Sequence, residues 1–282
     1  MKKKILAFLI VLLCFASPSA AYAQSYNTKA DVLKAIRTNL IQRDSEFTLE
    51  ATAAAMNEIG QTNDLYDLVI AYDSSKSFKD GDYLKFSINQ WNYLQTSYSE
   101  DGKNVNNVLE FRLDYSTTAD QEKAVNAKIK SVITSLNLED ASDYKKVKAI
   151  HKYIIKRADY DQTLTKSTAY DLLIDKTAVC QGYALAAYRL FSAAGIECRI
   201  ISGKGNGVPH AWNIVKVNDL WYNIDVTWDD PTMSDGTSTL SYDYFLKSEE
   251  DFTGHTRDAE YRTQKFKTKY PISASSYSTA SK

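Results

Sequence analysis

Apolar residues recur at helical spacing at Val32, Leu33, Ile36 and Leu40, so residues 28–43 predict an amphipathic helix. The period then changes. Leu109, Phe111, Leu113 and Tyr115 alternate with Glu110, Arg112 and Asp114, which predicts a strand with one buried and one polar face. Phe86, Ile88 and the aromatics around them predict its hairpin partner, with Glu100-Asp101-Gly102-Lys103 as the turn. Residues 24–116 therefore read as an amino-terminal α+β region to which the pattern attaches no chemistry.

Helical spacing returns at Val125, Ile129, Val132, Ile133 and Leu136, and again after Ser142 at Tyr144, Val147, Ile150, His151, Ile154 and Ile155. Both segments predict packing helices, and His151, on an apolar face, reads as a core histidine satisfied by a neighbour. A third helix opens at Val179-Cys180, continues through Tyr183, Ala184, Ala187, Tyr188 and Phe191, and stops near Gly195. Beyond it, residues 210–217 and 220–227 are apolar-rich runs flanking Asn218-Asp219, a two-residue hairpin turn. Pairing symmetrically about that turn sets His210 opposite Thr227 and puts Asp225 on the His210 face, one diagonal step away. The opposite face collects Ala211, Val215, Val217, Leu220, Ile224 and Val226, a coherent core surface that a one-residue slip would destroy. Asn213 falls on that core face, whereas Trp221 and Asn223 share the face of His210.

This layout gives chemistry to three residues. Cys180 shares its helix face with Ala184, Ala187 and Phe191, and it sits where unpaired N–H groups and the macrodipole favour a thiolate. A thiolate, an imidazole and a carboxylate that orients the imidazole are the equipment for acyl transfer through a thioester. Cys180, His210 and Asp225 are therefore the candidate nucleophile, base and orienter, with the Cys180 N–H as one oxyanion donor. Gln181, Tyr170 or an indole could supply the second. Trp212 and Trp228 are candidates to line a groove. His255 is a candidate late site residue, although a loop histidine is usually just exposed.

The beginning of the chain changes the setting. Lys2, Lys3 and Lys4 precede an apolar run from Ile5 to Phe15, and Ala21-Tyr22-Ala23 offers a small-x-small cleavage site, so residues 1–23 predict a signal peptide and a secreted or cell-surface protein. The run is about half of the roughly 20 residues a spanning helix needs, so no stable membrane insertion is expected after cleavage. Removing three lysines takes the formal charge from -1 to -4, and the remaining basic residues are scattered among acidic ones. That pattern argues against nucleic acid as a partner.

Export also permits a disulfide between Cys180 and Cys198. If residues 180–194 are helical, however, Cys180 lies about 22 Å from Gly195, and three extended residues reach back only about 10 Å. The same geometry denies the two thiols a shared metal ion. Neither a metal nor a cofactor is expected. Residues 271–282, rich in Ser, Ala and Thr, read as a flexible tail.

Val179-Cys180-Gln181-Gly182-Tyr183-Ala184, Gly195-Ile196 with Arg199 and Gly203, His210-Ala211-Trp212-Asn213 and Asp225-Val226-Thr227-Trp228-Asp229 together resemble the transglutaminase-like superfamily. The likeness is to the branch that includes kyphoscoliosis peptidase and yeast cytokinesis proteins. It covers residues 140–256, where Tyr244-Phe245-Leu246 and His255 look like that branch's trailing segment. It implies an α+β fold of papain-like type for residues 117–270, with the Cys-bearing helix packed on an antiparallel sheet that supplies His and Asp. It also implies the same three roles for Cys180, His210 and Asp225, and a protein or peptide substrate, cell-wall peptides among them. Calcium is not implied, because no loop of EF-hand spacing occurs. Two readings stay open: a thiol acyltransferase or peptidase, and a binding module that keeps the trio as scaffold.

Overall fold

In the computed structural model, which describes residues 25–60, 65–71, 81–99, 101–103, 105–231 and 240–278, the first helical pattern becomes α1 (Lys29–Gln42). The Thr28 hydroxyl accepts the Asp31 N–H at its start, Arg43 ends it in the left-handed region, and Val32, Ile36 and Leu40 are fully buried. The expected signal peptide, residues 1–23, lies outside the described residues. Strand β1 (Ser25–Tyr26) runs parallel to β2 (Glu46–Thr52), and α2 (Ala53–Ile59), α3 (Leu65–Ile70) and α4 (Gly81–Ser87) follow. A long hairpin of β3 (Ile88–Tyr98) and β4 (Asn106–Tyr115) completes a sheet of order β1-β2-β4-β3. β4 buries Leu109, Phe111 and Leu113 and exposes the charged residues between them, as the alternation requires. Phe86 corrects the expectation of a strand: it belongs to α4, and β3 begins two residues later. Of the expected hairpin turn, Asp101–Lys103 are described, with Asp101 accepting the Lys103 N–H, and Glu100 lies outside the described residues.

The second half is built on α5 (Ala119–Leu136), opened by a Thr118–Gln121 capping box, and α6 (Asp143–Ile155). Short parallel strands β5 (Asp159–Tyr160) and β6 (Thr177–Ala178) lead into α7 (Cys180–Ala193), which is buried almost all round. A Cβ on Gly182 would lie 2.5 Å from the Ala178 Cβ and 2.9 Å from the Thr168 carbonyl, so glycine lets the first turn of α7 seat against β6. Gly195 supplies the positive φ beyond its end. Against α7 packs an antiparallel sheet of order β10-β7-β8-β9, made of β7 (Cys198–Gly205), β8 (Val208–Val217), β9 (Leu220–Ile224) and β10 (His255–Arg257). The β8–β9 register is the expected one from Val217↔Leu220 to Asn213↔Ile224. The ladder stops there. Leu220 departs from the expected core face and is 49% exposed at the hairpin end.

Two polar bridges join the halves. Asp82 accepts Arg199 Nε at 2.6 Å, Arg199 Nη2 at 2.8 Å and the Ile200 N–H at 2.8 Å. Arg43 and Tyr83 meet at the buried Glu122 carboxylate. Removing one member of a buried pair leaves its partner's charge uncompensated. Asp82→Ala is therefore expected to cost about 3 kcal/mol, read as a lowered urea midpoint.

The carboxy-terminal segment corrects the expectation of a flexible tail as far as residue 278. The ring of Tyr277 stacks on Tyr144 at 4.8 Å, its N–H bonds the Leu246 carbonyl, and Ile272 bridges to Trp221 after α8 (Gln264–Lys269). The aromatic residues there find partners that composition does not reveal. No helix among the described residues is long and apolar enough to cross a membrane.

Candidate active site

Cys180 is the first residue of α7, after an extended Val179, at the end where backbone N–H groups have no intrahelical acceptor. It is partly exposed, Cys198 is buried in β7, and both thiols are free. His210 lies on β8 opposite Gly203 of β7, and Asp225 follows the last residue of β9. His210 Nε2 and Asp225 Oδ2 are 2.7 Å apart, with side chains 6% and 0% exposed. The Cys180 thiol interacts with the same imidazole. Since Asp225 holds Nε2, the ring nitrogen left for Cys180 is Nδ1.

Asp225 reaches this place differently from the expected strand pairing. His210 and Thr227 are not a ladder pair, because the chain turns at Asp225. Its N–H donates to the Tyr244 carbonyl, and its Oδ1 accepts the N–H groups of Thr227 (2.9 Å) and Trp228 (3.2 Å). A short aspartate side chain closing a turn on its own backbone outcompetes two more ladder bonds. The diagonal neighbourhood survives because Oδ2 still points back at β8. Asn213 lies on the other face, where its amide donates to the Ala184 and Arg199 carbonyls. Trp221 and Asn223 are on the His210 face but are engaged elsewhere, Trp221 with Tyr270 and Asn223 with Arg257.

Burial alone would depress the His210 pKa. Hydrogen bonds to Asp225 and Cys180, with their negative charge, outweigh it and hold the imidazole at about 9. Burial would likewise raise Asp225, but the hydrogen bonds and charge of His210 and His255 keep its carboxyl below the usual range. A raised histidine pKa stabilises the fold fully below the unfolded value near 6.5, and the benefit disappears as pH rises through about 9. The unfolding free energy is expected to fall by about 3 kcal/mol across that window, with the slope much reduced in His210→Gln. Denaturant titrations at half-unit pH steps check it.

Of the two readings of His255, the structure favours the late site residue over the exposed loop histidine. It opens β10, its side chain is 2% exposed, and its Nε2 lies 2.9 Å from the same Asp225 Oδ2. The signal available in the sequence was scarcity, since the chain has three histidines and all three meet carboxylates. His151 behaves as expected of a core histidine: its Nε2 lies 2.8 Å from Asp229 Oδ2, with both side chains fully buried. Gly205 was also missed. A Cβ there would stand 2.8 Å from Trp228 and 3.0 Å from the His210 Cγ, so glycine leaves room for the imidazole.

A cleft of about 500 Å³ opens beside His210, walled by Tyr160, Gln162, Val208, Pro209, Trp228 and Asp230. Trp228 lines it as expected, whereas Trp212 is 1% exposed and belongs to the core. Tyr183 donates to Asp230 at 2.6 Å and fixes that wall. His210, Asp225 and His255 have ligand atoms within 4.8 Å of one another. The point on which both Nε2 atoms converge is nevertheless the carboxylate oxygen itself, at hydrogen-bond distance, so a cation would have to displace it.

Residues 130–226, which include Cys180, His210 and Asp225, match the model of the transglutaminase-like superfamily. Kyphoscoliosis peptidase of Mus musculus is 25% identical over 151 residues, covering 47% of this chain and 22% of that protein. The Homo sapiens protein is 25% identical over 131 residues, covering 40% and 20%. The chain thus spans about a fifth of the length of these curated relatives. Among solved structures, one described as a TGase aligns over 58% of this chain and 50% of its own, with 21% identity and a TM-score of 0.37. The periplasmic domain of TgpA from Pseudomonas aeruginosa aligns over 50% and 67%, with 15% identity and a TM-score of 0.32.

Proposed function

From the premise that residues 130–226 belong to the transglutaminase-like superfamily, we propose that the protein is a secreted thiol enzyme acting on peptide or glutamine amide carbonyls. The observation that carries this reading is a single imidazole held between a buried carboxylate and a thiol at a helix start, beside an open cleft. Cys180 is the nucleophile, His210 the base and acid, and Asp225 the orienter. The Cys180 sulfur attacks the carbonyl carbon, and the C–N bond breaks as His210 Nδ1 delivers its proton to the departing amine or ammonia. A thioester remains. Water then releases an acid, or a lysine amine forms a new amide, with His210 taking the proton of the attacking group.

The Cys180 N–H, at the positive end of α7, would hold the oxyanion in place of the Tyr160 hydroxyl that it bonds here. Export rests on the basic and apolar leader of residues 1–23, and extracellular or cell-wall peptides are the substrates such a location offers. The division of labour follows the chain: residues 117–270 carry the chemistry, and residues 24–116 brace it through Asp82, which holds Arg199, and through Arg43 and Tyr83, which hold Glu122.

Incubation with a glutamine-bearing peptide, with and without a labelled primary amine, tests the proposal. Amine incorporation identifies an acyltransferase and plain hydrolysis a peptidase or amidase. Absence of any turnover across a broad peptide panel, with Cys180 no more reactive toward iodoacetamide than an ordinary thiol, contradicts the enzyme reading and leaves a binding module.

A further inference from the structure

We propose that His255 is a fourth member of this site, a doubly protonated imidazolium that shares Asp225 Oδ2 with His210 and acts as the positioning residue for that carboxylate. Both of its ring nitrogens face acceptors: Nδ1 lies 3.0 Å from the Thr253 carbonyl oxygen and Nε2 lies 2.9 Å from Asp225 Oδ2. A neutral imidazole has one N–H and one lone pair, and either tautomer would aim the lone pair at an oxygen. With a proton on each nitrogen, both contacts become donations.

The rings around it fit a cation. Phe252 stacks at a centroid distance of 3.9 Å and Trp228 lies at 4.1 Å, with Trp212 at 5.0 Å and Tyr244 at 5.4 Å. Such a box attracts a positive charge through the ring quadrupoles. The titratable groups that face His255 are Asp225 after β9, His210 on β8 and Tyr244 from the following segment.

The carboxylate is then complete. Asp225 Oδ1 accepts two backbone N–H groups and Oδ2 accepts two imidazoles, which fills the four acceptor positions of an ionised carboxylate in a fully buried site. His255 also offsets the Asp225 charge felt by His210. Without that cation, the carboxylate pulls harder on the His210 proton, and the imidazole releases it at higher pH. The superfamily model matches residues 130–226 only, and the resemblance carried by the motifs, which runs on to His255, gives that residue no role. Gly203 allows the arrangement, because a Cβ there would stand 2.1 Å from the Thr256 carbonyl and push β10 off β7.

The charge state of His255 rests on geometry alone, whereas its effect on Cys180 rests on the thiol-enzyme reading, and the experiment separates the two. Nitrogen-15 NMR of the histidine-labelled protein at pH 7 is expected to show Nδ1 and Nε2 of His255 both protonated, assigned by loss of the signals in His255→Gln. A neutral ring, protonated on Nε2 alone or on Nδ1 alone, would overturn the inference, whatever the protein's activity. In the same variant, the basic limb of the Cys180 alkylation rate against pH is expected to move up by about one pH unit. A folded His255→Gln protein with the limb unmoved would reduce His255 to packing and refute the positioning role. His255→Phe, which keeps a ring in the aromatic box, should shift the limb in the same direction.

Discussion

Asp225→Asn is expected to lower turnover of an amide substrate by about 10³–10⁴-fold, with KM little changed. The asparagine carbonyl can keep the Thr227 and Trp228 N–H bonds, so the turn closes as before. Its amide nitrogen, however, replaces Oδ2 and presents hydrogens to two Nε2 atoms that donate in the native protein. His210 relieves the conflict by moving its proton to Nδ1, which leaves no lone pair for the thiol proton of Cys180. The fault is one of tautomer rather than of folding. Asn213→Ala is the control, because Asn213 bonds the Ala184 and Arg199 carbonyls on the other face and never meets His210. Loss of activity in Asn213→Ala with retention in Asp225→Asn would reverse the assignment.

Cys180→Ala is expected to abolish turnover to the limit of detection while lowering the unfolding free energy at pH 7 by only about 1 kcal/mol, the part that its contact with His210 contributes. Removing the nucleophile eliminates the thioester route altogether. The side chain is half-buried, so little packing is lost. Cys198 cannot substitute, since it is fully buried in β7 and burial pushes its thiol pKa well up.

Much of this site was legible because it lies on elements whose period is strict. The apolar face of α7 fixed the direction of Cys180, and the Asn218-Asp219 turn fixed β8 against β9 as far as Asn213↔Ile224. What followed Ile224 was illegible by the same logic. A period of two carries no information about where an aspartate prefers its own backbone to the ladder, and Asp225 does so. The place of His255 stayed open because β10 is three residues long, too short to show alternation, and it pairs with a strand some 50 positions earlier in the chain. Phe86 failed for a local reason, since the end of α4 abuts β3 and apolar residues continue across the junction. The tail was misjudged because Tyr277 packs on Tyr144, a contact with no local signature.

The account turns on a covalent bond at one sulfur, and intact-mass spectrometry of the protein mixed with a glutamine-bearing peptide and quenched in acid observes it directly. The wild-type chain is expected to gain the mass of the peptide less ammonia, on Cys180, as an adduct removed by hydroxylamine and absent from Cys180→Ala. Turnover that proceeds without such an adduct, or an adduct that persists in Cys180→Ala, would contradict the thioester mechanism.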